Sequence, residues 1–111
     1  MNWIPLTTEE QLQKIIEKST AVPQVIFKHS TRCSTSSMIL NRLEISTDAG
    51  GVDFHFLDLI AFRSVSAKIA EVWKVHHESP QILLIKNGEC IYDESHTGIT
   101  MNELLKQVAG N

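Results

Sequence analysis

Two cysteines, Cys33 and Cys90, are all that this 111-residue chain carries, and neither sits in a CxxC pair or a Cys/His cluster. A structural zinc site is therefore not expected. The opening residues, MNWIPLTTEEQLQK, lack a basic n-region and an apolar run, so no signal peptide is expected. That points to a cytoplasmic chain in a reducing compartment, where a Cys33–Cys90 disulfide, though open on paper, would be rare. No apolar run approaches membrane-spanning length. Neither sign of charge dominates: the formal net charge is −3 and the ten Lys and Arg are scattered, which weighs against nucleic acid and membrane as partners. What remains is 42 % hydrophobic and 21 % charged, the balance of a folded globular chain with one core, read as a single domain over 1–111.

The stretch Val25–Met38, VIFKHSTRCSTSSM, carries the chemistry. Val25–Lys28 reads as a buried strand and His29–Arg32 as a polar turn, with Cys33 where a helix should begin. Ser34, Thr35, Ser36 and Ser37 suit a helix entrance, where short hydroxyl side chains bond free backbone N–H groups. A cysteine at the positive end of a helix favours thiolate over thiol. Further stabilisation asks for direct help from Ser36, or for charge from Arg32 or Lys28, of which Arg32 adjoins the sulfur in sequence.

Along the rest of the chain, Thr7 with Glu10, or Thr8 with Gln11, makes a capping box for a first helix with Leu12, Ile15 and Ile16 on one stripe. Ser19–Pro23 ends it. The second helix should turn Met38, Ile39, Leu40 and Leu43 inward. Gly50-Gly51 marks a loop. Val52, Phe54 and Phe56 alternate with Asp53 and His55 as a second strand. A third helix places Val65, Ile69, Val72 and Trp73 on one face and breaks at His76–Ser79, ahead of Pro80. Gln81–Lys86 is a third strand, Asn87-Gly88 a two-residue hairpin turn, and Cys90–Tyr92 the start of the returning strand. Thr100 with Glu103 caps a last helix, Met101 to Ala109, with Ile99 and Leu104 as a staple. The order is α-β-α-β-α-β-β-α, an α/β fold with a central four-stranded mixed sheet flanked by helices. That is the thioredoxin-like architecture, whose reactive cysteine falls between the first parallel strand and the next helix, as Cys33 does.

Three segments, KHSTRCSTS (Lys28–Ser36), HHESPQILLIKNG (His76–Gly88) and ESHTGIT (Glu94–Thr100), resemble the YtxJ-type monothiol bacilliredoxins, thioredoxin-fold proteins of the bacillithiol system. The resemblance implies a single redox cysteine at Cys33 and a serine, Ser36, where dithiol relatives carry a resolving cysteine. It also implies a cis-proline at Ser79-Pro80 and substrate contacts from Thr31, Ser79 and Pro80. Typical members read TCPIS where this chain reads RCSTS. The missing proline loosens the helix start, and Arg32 adds a positive charge beside the sulfur that favours an acidic thiol such as bacillithiol or glutathione.

These readings lead to a monothiol exchange protein that removes a low-molecular-weight thiol from mixed disulfides on client cysteines. No metal or organic cofactor is expected; the small thiol is a co-substrate, and a second small thiol or a recycling reductase clears Cys33. His29 is a candidate proton donor to the leaving thiolate. Cys90 reads as packing, since Glu89 would raise its pKa. His76-His77 reads as a complement to a helix end, and His96 as a loop residue. The rival reading is a non-catalytic module that holds an extended peptide at Ser79-Pro80 with Cys33 as spectator or sensor. A glutathione-based monothiol glutaredoxin differs only in the thiol, and the CSTS sequence lacks the Gly-Phe of the cluster-binding CGFS type.

Overall fold

A computed structural model of the chain describes residues 1–46 and 50–110. In order they form β1 (Trp3–Pro5), α1 (Glu10–Lys18), β2 (Gln24–His29), α2 (Ser34–Glu44), β3 (Asp53–Asp58), α3 (Arg63–Trp73), β4 (Gln81–Lys86), β5 (Glu89–Ser95), a 3₁₀ turn at His96–Gly98 and α4 (Met101–Gly110). The strands make one sheet in the order β1-β3-β2-β4-β5. β1, β3 and β2 run parallel, while β4 is antiparallel to both β2 and β5.

β2 lies at the centre, buried along its whole length, because helices cover both faces of the sheet. Its residues alternate between those faces. Val25 and Phe27 join Ile39 and Leu43 of α2 and Met101 and Leu104 of α4 in one cluster. Ile26 joins Leu12 and Ile15 of α1 and Val65 and Ile69 of α3 in the other. The hairpin forms at Asn87-Gly88 with φ of 53° and 79°, the left-handed pair that a tight two-residue turn requires. Ser19 holds it against the end of α1: its carbonyl accepts the Asn87 N–H at 3.0 Å and its Oγ the Gly88 N–H at 2.7 Å.

The sheet has five strands, not the expected four. β1 was absent from the sequence reading because three residues ending in proline carry no periodicity; pairing with β3 and ring contacts hold them in place. Trp3 stacks on Phe27 at 5.7 Å and meets Phe54 and Phe56 edge-on. Met38 is a second correction. α2 buries Ser36, Ile39 and Leu43, and Met38, about 100° round the helix from Ile39, is 45 % exposed. His55, expected on the polar side of its strand, is buried because α1 covers that face as well. At the head of α1 the Thr8–Gln11 box is half made: Gln11 Oε1 accepts the Thr7 and Thr8 N–H groups, while the residue capping the helix is Glu9, with no side-chain bond. At α4 the Thr100 Oγ accepts the Glu103 N–H at 3.1 Å, and Ile99 and Leu104 are both fully buried.

Candidate functional site

β2 ends at His29, and the chain turns through residues 30–32 before Cys33 caps α2. The Cys33 N–H donates to the Ser30 carbonyl at 3.2 Å, and the Ser37 N–H to the Cys33 carbonyl at 3.1 Å. Cys33 has extended backbone angles, φ −113° and ψ 117°, and its side chain makes no capping bond. Cys33 thus occupies the residue position just ahead of the first N–H groups of α2, which have no intrahelical acceptor. It is a free thiol, partly exposed.

Ser36, one turn along, is fully buried. Its Oγ accepts the Ser30 N–H at 3.0 Å and lies 2.8 Å from His29 Nδ1. The hydroxyl therefore braces the turn beneath Cys33, and no bond joins it to the sulfur in this state. The His29 ring packs 5.4 Å from Phe56 and 6.0 Å from Phe27. Burial pushes its pKa down, and the Asp58 and Glu44 carboxylates oppose that shift. Thr31 and Arg32 are exposed. The Arg32 side chain has no hydrogen-bond or ion-pair partner among the described residues; its backbone N–H donates to Ser30 Oγ at 3.3 Å.

The register of the sheet brings the other two loops to this end. Lys28 is opposite Gln81, and Gln81 opposite Ser95. Ser79-Pro80 therefore lies next to the Cys33 turn, and its peptide bond is cis. Pro80 is buried. The Pro80 carbonyl accepts the His96 N–H at 3.0 Å, and the adjoining Ile99 N–H donates to the His96 carbonyl at 3.3 Å. Within the described residues no hydrogen bond engages the Ser79 N–H or C=O, and the Ser79 Oγ is buried without a partner. His96 Nε2 is 3.5 Å from Glu78 Oε1 at the rim, and Arg42 of α2 donates to the Thr97 and Ile99 carbonyls at 3.1 Å each. So Cys33, Ser36, His29, Thr31, Arg32, Ser79 and Pro80 share one end of the sheet.

Cys90 does not. It pairs with Ile85, which pairs with Gln24 at the far end of β2. Five strand steps of about 3.3 Å each separate Gln24 from His29, well beyond the span of a disulfide, and both thiols are free. The Cys90 Sγ donates to the Tyr92 carbonyl at 3.4 Å, and burial pushes its pKa up to about 11.

The sequence offers Lys28 as a charge for the Cys33 sulfur and His77 as a complement to a helix end; the structure instead joins the two side chains to each other. Lys28 is fully buried on the strand face opposite His29, its Nζ 2.8 Å from His77 Nδ1 and 3.2 Å from Gln81 Oε1. Burial lowers its pKa to about 8. His77 thus serves Lys28 rather than the end of α3, where Lys74 closes the helix in the left-handed conformation with φ of 56°. A signal was present: a lysine inside the apolar run VIFKH has to find partners.

A cysteine capping the helix after a central parallel strand, with a cis-proline loop beside it, defines a thioredoxin-fold protein. Solved structures bear this out. The chain is similar to a candidate oxidoreductase with a thioredoxin fold, at 27 % identity and a TM-score of 0.83 over 95 % of this chain and 92 % of that one. It is similar to Fasciola hepatica thioredoxin at 19 % identity and a TM-score of 0.75 over 96 % of each chain. Thioredoxin from Trypanosoma brucei brucei matches at 14 % identity and a TM-score of 0.77, covering 98 % of this chain and 89 % of that one. Within that class, residues 4–104 match the family model of the monothiol bacilliredoxin BrxC. The chain belongs to the monothiol bacilliredoxin family, and family and fold together support thiol–disulfide redox chemistry. Among the described residues no helix is long and apolar enough to cross a membrane.

Proposed function

We propose that this chain removes a low-molecular-weight thiol from mixed disulfides on client proteins in the cytoplasm, with Cys33 as the sole nucleophile. The observation that carries the reading is a partly exposed Cys33 at the mouth of α2 with a serine, not a second sulfur, one turn on. The Cys33 thiolate attacks the small-thiol sulfur of the mixed disulfide. The new bond is the S–S bond of Cys33–S–S–R; the S–S bond between R–S and the client sulfur breaks, and the client sulfur leaves as thiolate and takes a proton. Cys33 is oxidised to the mixed disulfide as the client cysteine is reduced. A second small thiol, as thiolate, or a partner reductase then attacks that disulfide and returns Cys33, because Ser36 cannot form an S–S bond.

In this reading Thr31, Ser79 and Pro80 receive the substrate, with the free Ser79 N–H and C=O pairing to an extended client segment. Arg32 offers its guanidinium to a carboxylate of the small thiol, such as bacillithiol. His29 carries the proton through its bond to Ser36, whose hydroxyl turns to the sulfur when the thiolate needs a donor. The reaction calls for no metal or organic cofactor. The test is intact-mass analysis after parallel challenge with client peptides capped by bacillithiol, glutathione or coenzyme A. The expected result is an adduct of the small thiol on Cys33, strongest with bacillithiol, and a freed client thiol. Absence of an adduct with every thiol, or adducts confined to Cys90, would leave only the peptide-holding module.

A further inference from the structure

The Lys28 cluster lies outside the exchange reaction as described, yet it touches both flanks of the loop that faces Cys33. Lys28 Nζ donates to His77 Nδ1 at 2.8 Å, two residues ahead of Ser79, and to Gln81 Oε1 at 3.2 Å, one residue after Pro80. The Gln81 Nε2 in turn donates to the His76 carbonyl at 2.9 Å, which closes the loop on itself. Lys28 is fully buried and has no carboxylate partner among the described residues. A buried cation without a counter-charge costs stability, and an apolar side chain would serve a core better. Something other than stability accounts for a lysine here.

We propose that Lys28 is a positioning residue: from behind β2 it clamps both flanks of the Ser79–Pro80 loop, through His77 and Gln81, and so fixes the backbone that holds a client disulfide in front of Cys33. The proposal rests on the exchange reading above. Lys28 and His29 are consecutive on β2 and point to opposite faces, so Lys28 acts through the loop and not on the sulfur. The clamp has a chemical condition. His77 Nδ1 must accept from Lys28, which requires a neutral imidazole with its proton on Nε2. A proton on Nδ1 would set donor against donor and release that flank. The charged and titratable groups around His77 are Lys28 on β2, His76 and Glu78 on the loop and Arg63 at the start of α3; Ser66 of α3 adds a hydroxyl at 3.4 Å.

The test compares two rates on each variant: attack on a cysteine peptide capped with bacillithiol, and alkylation by iodoacetamide, which needs the thiolate but not the loop. Their ratio cancels changes in Cys33 ionisation. Lys28→Met is expected to lower the ratio about tenfold at pH 7, the scale of a lost charged hydrogen bond, without lowering the melting temperature. His77→Leu, a change at an exposed position that the fold will tolerate, should lower it similarly. His77→Gln keeps an acceptor and should retain the wild-type ratio at pH 7, while losing the fall that the wild type shows as His77 protonates in acid. Ratios within twofold of wild type for both Lys28→Met and His77→Leu would overturn the proposal, as would a His77→Gln ratio as low as that of His77→Leu. If the wild type is alkylated but never attacks the capped peptide, the exchange reading fails instead. Hydrogen exchange at the His96 amide, which donates to the Pro80 carbonyl, then decides the clamp: faster exchange in Lys28→Met and His77→Leu supports it, and unchanged exchange overturns it.

Discussion

At each end of the sheet a cysteine lies near a buried serine that braces a loop, and the settings of the two cysteines differ. At the hairpin end Ser19 fastens Asn87-Gly88 to α1, and Cys90 is half-buried with its thiol bonded to a carbonyl. At the other end Ser36 fastens the turn after β2, and Cys33 caps a helix with its sulfur unpaired and partly open. The serines show that a buried hydroxyl bracing a loop is an ordinary structural device. The cysteines share one element and differ in where the sulfur sits, the setting on which thiol reactivity depends.

The largest contrast is expected in exchange itself. Cys33→Ser should slow release of the small thiol from a capped client on the order of a thousandfold or more, the scale of losing an essential nucleophile, while Cys90→Ala stays within twofold. Comparable losses in both would erase the distinction. Next comes labelling. With a thiol pKa of about 11, Cys90 is about one part in a thousand thiolate at pH 8. One alkyl adduct, on Cys33, should therefore appear in intact mass at pH 8, with a second only as the pH approaches 11.

Alkaline unfolding sharpens the contrast further, and the signs run opposite ways. The Cys90 thiol has a folded pKa raised from 9.0 to about 11; its stabilising contribution is complete below pH 9 and is lost as the pH rises through 11. Lys28 has a folded pKa lowered from 10.5 to about 8; its penalty is complete below pH 8 and is relieved as the pH rises to 10.5. Each spans at most about 3 kcal/mol. Denaturant titrations should show Cys90→Ala unmasking a rise in stability above pH 8, and Lys28→Met unmasking a fall above pH 9. A wild type and two variants with parallel profiles would contradict both. The smallest effects belong to the serines. Ser19→Ala and Ser36→Ala each strand a loop N–H and should cost about 1–3 kcal/mol by urea midpoint, but only Ser36→Ala should also change the exchange rate.

Much of this was legible because the local signals were strong. Asn87-Gly88, Thr100 and the polar run after Cys33 each have a short-range physical reason, and the order of helices and strands followed from them. The losses came where tertiary structure overrode period. β1 is three residues long and owes its place to rings far away in sequence. His55 reads as outward in a strand with one wet face, but β3 has none, because α1 covers the polar side. Met38 belongs to an apolar run, MIL, whose phase is set by the Cys33 cap, and nothing in the run itself shows which of the three faces out. At the site, the residues gathered as expected because strand register places successive loops together. The Lys28–His77 bond joins residues 49 positions apart, and only the paired strands reveal that they meet.

The ring stack at the N-terminal edge has an optical consequence. Trp3 touches Phe27 and Phe56, and both of those touch the His29 imidazole, so the indole stands two rings away from a group that titrates beside Cys33. A change in the His29 ring reaches the indole through the Phe27 and Phe56 rings, which makes native fluorescence a label-free gauge of how this stack is packed. Trp73, whose indole N–H donates to the Gly88 carbonyl at the hairpin, supplies an internal reference in the same spectrum.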